Sequence, residues 1–192
     1  VPQAKIQVYF IDNEDFFTRK ATVQDENGEY FEDNDERAMF FGRGVLETVK
    51  KLGWKPDIIH CHGWMTALTP LYIKKLYQND PHFADAKVVY SVYEQGFDGS
   101  LDAKMASKIK FDGFGDDDLS LIEDPTFANL NKIGVEYADA IVKGSASIDG
   151  EVDEFIKASG KPTLDYHGEE EMVAAYNEFY DQVMEENSVL AD

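Results

Sequence analysis

The chain has 192 residues, enough for one hydrophobic core of ordinary domain size. Its 38 Asp and Glu residues outnumber its 18 Lys and Arg residues, and the net charge of −20 disfavours binding to nucleic acid or to anionic membrane surfaces. No stretch approaches the roughly 18 consecutive apolar residues of a membrane-spanning helix, and the first residues carry no signal-peptide pattern.

The first third of the chain predicts a strand, a loop and a helix. Residues 5–12 (KIQVYFID) are rich in β-branched and aromatic side chains and are predicted to form a strand. The polar stretch 14–33 carries an Asn-Gly pair at 27–28, which indicates a loop or a small hairpin. A helix capped by Asn34 or Asp35 is predicted to run through Leu52, with apolar residues at helical spacing. These residues are Ala38, Phe41, Val45, Val49 and Leu52.

The middle third alternates between strand and helix patterns. A buried strand is predicted at 57–60 (DIIH), a helix at 66–77 and the next strand at 87–92 (KVVYSV). Residues 96–125 are rich in Gly and Asp and are predicted to be irregular, with short helices. This alternation indicates an α/β fold with a mostly parallel sheet.

The last third continues the pattern with a helix at 126–137, a strand at 139–144, a helix at 149–158, a short strand at 162–166 and a helix at 169–184. The last helix is predicted to bury one face, formed by Met172, Tyr176, Phe179 and Val183. Acidic clusters are predicted to be solvated loops or helix starts, at 33–36, 116–118 and 169–171. No internal repeat or long linker divides the chain, so residues 1–192 are predicted to form one domain.

The motif IIHCHGWMTALTP (58–70) brings two histidines and a cysteine to the end of a predicted strand, where ligands bind in open parallel sheets. His60, Cys61 and His62 have zinc-ligand chemistry, but a zinc site needs three or four converging ligands. The other histidines, His82 and His167, lie in predicted loops without a supporting cluster. The pattern therefore predicts no metal site.

A nucleophilic pair of cysteine and histidine is also disfavoured at this strand end. Adjacent residues of a strand point to opposite faces, so Cys61 does not readily meet His60 or His62. The spacing favours a structural interpretation, in which His60 is a hydrogen-bonded residue near the core. Trp64 and Met65 then pack the following helix against the sheet.

Five segments, in the same order and at similar spacing, make the chain resemble the N-terminal catalytic domain of bacterial glycogen synthases and plant starch synthases. They are FIDN (10–13), DNDERAMFF (33–41), LGWKPDIIH (52–60), CHGWMTALTPLYIK (61–74) and KVVYSVYEQGFDGSL (87–101). The resemblance implies a Rossmann-like sheet with helices on both faces, the N-terminal half of a two-domain GT-B glycosyltransferase without its first elements. It also implies glucosyl transfer from ADP-glucose or UDP-glucose to an α-1,4-glucan, with no cofactor.

The resemblance implies substrate-binding positions along the cleft: His60, His62, Gly63, Trp64, Tyr93 and Glu94. Three of them depart from the family pattern. Gly63 stands where the family has an active-site Asp, Tyr93 where it has a His, and Glu94 where it has an Asn. Because a glycine supplies no charge and a glutamate repels a departing diphosphate, no catalytic residue is assigned, and the isolated chain is expected to be inactive.

A further expectation concerns the two ends of the chain. The chain begins at Val1 and is interpreted as a processed or truncated piece, and residues 145–192 are interpreted as a divergent segment that closes a single-domain relative.

The alternatives to an enzyme are a noncatalytic glucan-binding module and a module that regulates a protein partner or serves structure alone. The single cysteine, Cys61, excludes an internal disulfide and suits a cytoplasmic protein.

Overall fold

The structure, a computed structural model, describes residues 6–110 and 113–185. Four parallel strands form a sheet in which the spatial order follows the chain order. They are β1 (Ile58–His62), β2 (Lys87–Val92), β3 (Ala140–Lys143) and β4 (Thr163–Leu164). The expected α/β fold with a parallel sheet is confirmed. The organisation of 1–192 as one domain stays a prediction.

Eight α-helices accompany the sheet within the described residues: α1 (Glu14–Phe17), α2 (Asn34–Lys51), α3 (Leu68–Lys75), α4 (Met105–Lys110), α5 (Asp116–Leu119), α6 (Phe127–Tyr137), α7 (Gly150–Ser159) and α8 (Glu169–Glu185). Two short 3-10 turns lie at Trp64–Thr66 and Ser120–Ile122. The helix predicted at 66–77 is therefore split into a 3-10 turn and the shorter α3. None of the helices in this described part of the chain is long and apolar enough to span a bilayer.

The larger core lies on one face of the sheet. Alternate residues of β2, Val88, Tyr90 and Val92, point into it, and helix α6 packs against this strand. The intervening residue Val89 points to the opposite face. Because side chains alternate along a strand, β2 is buried on both faces from Val88 to Val92.

Helix α8 covers the opposite face. Phe179 and Val183 are buried there against Val89, Ala140 and Val142 of the sheet. Tyr176 and Tyr180 pack partly buried against this second core, whereas Met172 is 38% exposed. The predicted apolar face of the last helix is thus confirmed for three of its four residues.

The segment predicted as the first strand is not a strand over its described residues, 6–12. Its side chains alternate, but Ile6, Val8 and Phe10 are 83%, 69% and 90% exposed. Inward contacts come from Tyr9, whose ring meets Trp54 edge to face at 5.1 Å, and from Ile11, which lies beside Gly44. The prediction was wrong because strand propensity needs a neighbouring strand to complete the backbone hydrogen bonds.

The acidic cluster at 33–36 lies at the start of α2, as one of the two expectations had it, but it is not fully solvated. Asp35 is fully buried, and its Oδ2 accepts a 2.7 Å hydrogen bond from Lys108, which also pairs with Glu36 and Asp102. These three carboxylates raise the pKa of Lys108 despite its partial burial. The buried stripe of α2 runs through Ala38, Gly42 and Leu46. Of the predicted stripe, Ala38 is buried, Val49 packs partly buried against the larger core, Phe41 and Val45 are half-buried, and Leu52 is exposed.

The stretch 14–33 contains the small hairpin that the sequence predicted. Gln24 and Tyr30 form an antiparallel bridge around the turn at Gly28, whose φ is +85°. The Tyr30 hydroxyl donates a 2.8 Å hydrogen bond to the carbonyl of Gly96. This bond ties the hairpin to the loop after β2, at the carboxyl end of the sheet.

Candidate functional site

The carboxyl ends of β1 and β2 open onto a cavity of about 640 Å³. Its walls come from the two strand ends, the turn after β1 and the hairpin. The lining residues are Thr22, Val23, Gln24, Tyr30, His62, Gly63, Trp64, Met65, Tyr93, Gln95 and Gly96. No Asp, Glu, Lys or Arg is among these lining residues of the described chain, so the cavity presents hydroxyl, amide and aromatic groups. We call it the neutral cavity.

His60 lies behind the neutral cavity with both ring nitrogens engaged. Its Nδ1 lies 2.6 Å from the Tyr180 hydroxyl and its Nε2 lies 2.6 Å from the Ser91 hydroxyl. Burial, with a smaller contribution from His62, lowers the pKa of His60 to about 3. The ring is therefore neutral, and each hydroxyl can donate or accept to suit either tautomer. His60 is the hydrogen-bonded residue near the core that the sequence predicted.

His62 reaches the cavity itself. Its ring stacks on the ring of His60 with centroids 4.0 Å apart, because residues two apart in a strand share a face. Its Nδ1 lies 2.8 Å from the Tyr93 hydroxyl. Burial lowers the pKa of His62, so two stacked rings remain neutral together.

Tyr93 is held in place by a glycine of the neighbouring strand end. The ring lies so close to Gly144 that a Cβ there would approach its Cε1 to 2.4 Å. The backbone N–H of Gly144 donates to the carbonyl of Val92 at 2.8 Å, which fixes this approach. The Tyr93 side chain is thereby held by ring contact with Gly144 and by the contact between its hydroxyl and Nδ1 of His62.

Gly63 occupies a backbone conformation that L-residues avoid. Its φ is +73° and its ψ is 172°, a region that is essentially restricted to glycine. Its N–H donates to the carbonyl of Ser91 at 2.9 Å, and an added Cβ would lie 3.7 Å from Tyr93. The turn itself, rather than crowding, requires glycine at this position.

Trp64 lines the cavity with only a small part of its surface. It is 8% exposed, and its ring packs edge to face on Phe97 at 4.9 Å. Phe97 also contacts Tyr30 and Phe127. Both Trp64 and Phe97 therefore belong to an aromatic cluster that supports the cavity floor.

Glu94 does not join the other predicted site residues. It lines a neighbouring cavity of about 780 Å³ with four further carboxylates, those of Asp98, Asp124, Asp149 and Glu151. Tyr30 and Gly96 line both cavities and form the ridge between them. We call this second space the acidic cavity.

Cys61 points away from both cavities, as strand alternation predicts. It is 5% exposed in the larger core, and burial raises the pKa of its thiol to about 12. Within the described residues, no group of three His, Cys, Asp or Glu side chains could hold a metal ion.

Several cavity residues were not identified from the sequence. The hairpin residues Thr22, Gln24 and Tyr30 reach the site from a segment interpreted as a loop, and the Asn-Gly turn was the one signal for their placement. Tyr180 meets His60 from 120 residues away. Its position four residues after Tyr176, on the apolar face of the last helix, was compatible with burial but did not indicate His60 as its partner.

Comparisons with known proteins agree on one family. The family model described as the starch synthase catalytic domain matches residues 1–164. A glycogen synthase from Chlorobium limicola is 38% identical over 146 residues, which cover 76% of this chain and 29% of that relative. A glycogen synthase from Chlorobium chlorochromatii is 45% identical over 100 residues, which cover 50% of this chain and 20% of that relative.

The fold comparison agrees. The catalytic domain of Starch Synthase IV from Arabidopsis thaliana, bound to ADP and acarbose, matches with a TM-score of 0.54 and 21% identity, over 71% of this chain and 30% of that one. The chain thus spans 29% of the first relative's length, and helix α8 lies beyond the family match.

Proposed function

Because the chain belongs to the family of starch synthase catalytic domains, we propose that its neutral cavity binds an α-glucan and that the isolated chain does not transfer glucose from ADP-glucose or UDP-glucose. The observation that carries this proposal is the contrast between two adjoining cavities. One offers uncharged polar and aromatic groups, and the other offers five carboxylates.

The lining of the neutral cavity supports a neutral sugar ligand. Hydroxyl groups of a glucan need hydrogen-bond partners of both kinds, and the amides of Gln24 and Gln95 supply donors and acceptors together. The aromatic ring of Tyr93 and the hydroxyl of Thr22 form another part of the cavity wall. A site with few convergent polar groups on an aromatic support is typical of small-molecule pockets.

The electrostatics oppose a sugar-nucleotide donor. Glucosyl transfer from such a donor releases a diphosphate, and catalysis needs positive or hydrogen-bond-donating groups aimed at that charge. Glu94 and its four neighbours place negative charge beside the cleft. Gly63 provides no side chain, and Tyr93 is engaged with His62. Loss of one such stabilising group slows a reaction by about 10²- to 10³-fold.

Two assays test the two halves of this proposal. Nucleotide release from ADP-glucose or UDP-glucose with glycogen is expected to stay at background, and turnover clearly above background would refute the inactivity. Electrophoresis through gels containing glycogen is expected to retard the chain. Gln24→Ala and Gln95→Ala should reduce the retardation, whereas the same change at exposed Gln78, outside both cavities, should not. An unretarded native band would exclude glucan binding.

The second candidate is a partner-binding role, favoured by the exposed apolar row of Ile6, Val8 and Phe10. Exposed apolar rows of this kind mark protein interaction sites. Sedimentation of the chain with a purified glycogen synthase would test it: a shared boundary that Phe10→Ser abolishes supports the role, and independent sedimentation opposes it.

For location we propose the cytoplasm, supported by the single cysteine, Cys61.

A further inference from the structure

A third cavity, of about 510 Å³, adjoins the neutral cavity on the side of α1 and α2. It is lined by Phe17, Arg19, Lys20, Ala21, Thr22, Arg37, Phe41, Met65 and Thr66. We propose that this cavity, the basic cavity, binds a phosphate monoester carried on a sugar. The inference concerns a different site and ligand from the proposed glucan-binding cavity and does not depend on it.

The sign of the charge separates the basic cavity from its neighbours. All three charged residues of its lining, Arg19, Lys20 and Arg37, are cationic, in a protein whose net charge is −20. The acidic cavity has only carboxylates as charged lining residues, and the neutral cavity has none, within the described chain. A concave site lined by one sign of charge concentrates ligands of the opposite sign.

One acidic neighbour, Asp33, engages this cluster directly. It forms a bidentate pair with Arg19, with both N–O distances at 2.5 Å, and its charge also acts on Arg37. Asp33 and Glu32 line a separate hollow together with Arg19, and neither lines the basic cavity. Counting Asp33 against the three cations still leaves a positive excess of two charges (3 − 1).

Arg37 is buried and is held by neutral groups. It is 3% exposed, its Nε donates to the carbonyl of Phe16 at 3.0 Å, and its Nη1 donates to Asn34 Oδ1 at 2.7 Å. Its guanidinium also lies 5.4 Å from the ring centroid of Phe17. Burial and the positive charge of Arg19 lower the pKa of Arg37, so an anion in the cavity would stabilise its charged form.

The shape of the site argues for a phosphate ester instead of a free anion. The apolar side chains of Phe17, Phe41 and Met65 form much of the wall. They can pack against the uncharged part of a ligand but cannot hydrogen-bond to its phosphate. Thr22 and Met65 line both this cavity and the neutral cavity, so the two spaces adjoin. A sugar reaching toward the neutral cavity can therefore present a phosphate to the three cations.

Isothermal titration of the full chain with glucose 6-phosphate at low salt tests the proposal, with glucose and inorganic phosphate as partial ligands. We expect saturable binding of the ester that exceeds binding of either part and weakens as salt is added. Lys20→Gln should weaken binding about two- to fivefold, the range expected for one exposed charge contact. Lys55→Gln removes the same charge at an exposed position outside all three cavities and should leave binding unchanged.

Two ligand sources are separated by a second titration, which compares glucose 6-phosphate with a phosphorylated maltodextrin and with the plain maltodextrin. Tighter binding of the free ester assigns the cavity to a small metabolite, and tighter binding of the phosphorylated chain assigns it to modified glucan. Either result supports the phosphate-ester site. Absence of saturable binding by both esters, or equal weakening by Lys20→Gln and Lys55→Gln, would overturn it. Binding of plain maltodextrin reports on the neutral cavity alone.

Discussion

The hydroxyl of Tyr180 lies 2.6 Å from Nδ1 of His60, and this contact joins α8 to the end of β1 across 120 residues of sequence. The same histidine holds Ser91 of β2 through its other ring nitrogen. One neutral imidazole therefore connects two strands and the helix that covers their second face.

Removing the Tyr180 hydroxyl should weaken the attachment of α8. Tyr180→Phe leaves the ring in place and deprives His60 of a partner, so we expect the free energy of unfolding to fall by about 1 kcal/mol. Urea denaturation followed by circular dichroism measures the change. Tyr166→Phe, at a tyrosine that is 47% exposed, is the matched control and should have no effect. Equal losses in both variants would contradict a specific role for the contact.

Stability should depend on pH through His60. Its pKa is about 3 in the folded chain and near 6.5 when unfolded, so between these values the unfolded chain binds the additional proton. Stability is therefore full above about pH 6.5 and falls as the pH is lowered, by about 1–2 kcal/mol between pH 7 and pH 5. Denaturation midpoints across this range measure it. His60→Gln should reduce the slope and leave the part that comes from His62, whose pKa is also lowered by burial, whereas His82→Gln should preserve the full slope. A native slope retained in His60→Gln would refute the assignment.

Introducing a carboxylate at Gly63 should destabilise the fold. Gly63→Asp forces an L-residue into a φ of +73°, and we expect a loss of about 1–3 kcal/mol. Thermal denaturation provides the measurement. Gly150→Asp adds the same side chain where a Cβ meets open space, so the melting temperature should be maintained there. A Gly63→Asp variant as stable as the native chain would show that the turn relaxes at little cost.

The contact between Gly144 and Tyr93 should be sensitive to one methyl group. Gly144→Ala places a Cβ about where the Tyr93 ring lies, and such overpacking costs about 1–3 kcal/mol. Tyr93→Ser removes the obstacle, so the double variant should recover most of that loss in a double-mutant cycle. Gly150→Ala, inside α7 where an added Cβ meets open space, should cause no loss of stability. Strictly additive effects of the two changes would place Tyr93 elsewhere in solution.

The single thiol offers a direct probe of the core. With its pKa raised to about 12 by burial, Cys61 should resist iodoacetamide at pH 8 in the folded chain and react readily in urea. Mass spectrometry before and after denaturation measures the modified fraction. Rapid alkylation of the folded chain would show that the larger core opens at β1.

The sheet was predictable because its strands carry their own signals. The apolar runs of β1 and β2 end in turn residues and alternate with helical patterns, and those local features survive in the fold. The same reasoning failed for residues 6–12, whose alternation is as regular but whose described residues pair with no strand. Pairing is a long-range property that a local pattern does not contain.

The candidate site was predictable only in part, for a similar reason. The strand-end residues His62, Gly63 and Tyr93 were identified from one short motif and from the family resemblance, and they line one cavity. The partners of the strand-end residues come from distant segments, since Tyr180 of α8 contacts His60 and Gly144 after β3 contacts Tyr93. Outside the site, Lys108 is the distant partner of Asp35. Burial of a charged residue such as Asp35 depends on that kind of tertiary partner.

The glycine-only turn after β1 also limits what can be built into this cleft by single substitutions. At a φ of +73°, any side chain placed at position 63 strains the backbone before it can contribute chemistry. A variant that adds a functional group to this turn therefore needs a compensating change in the backbone beside it.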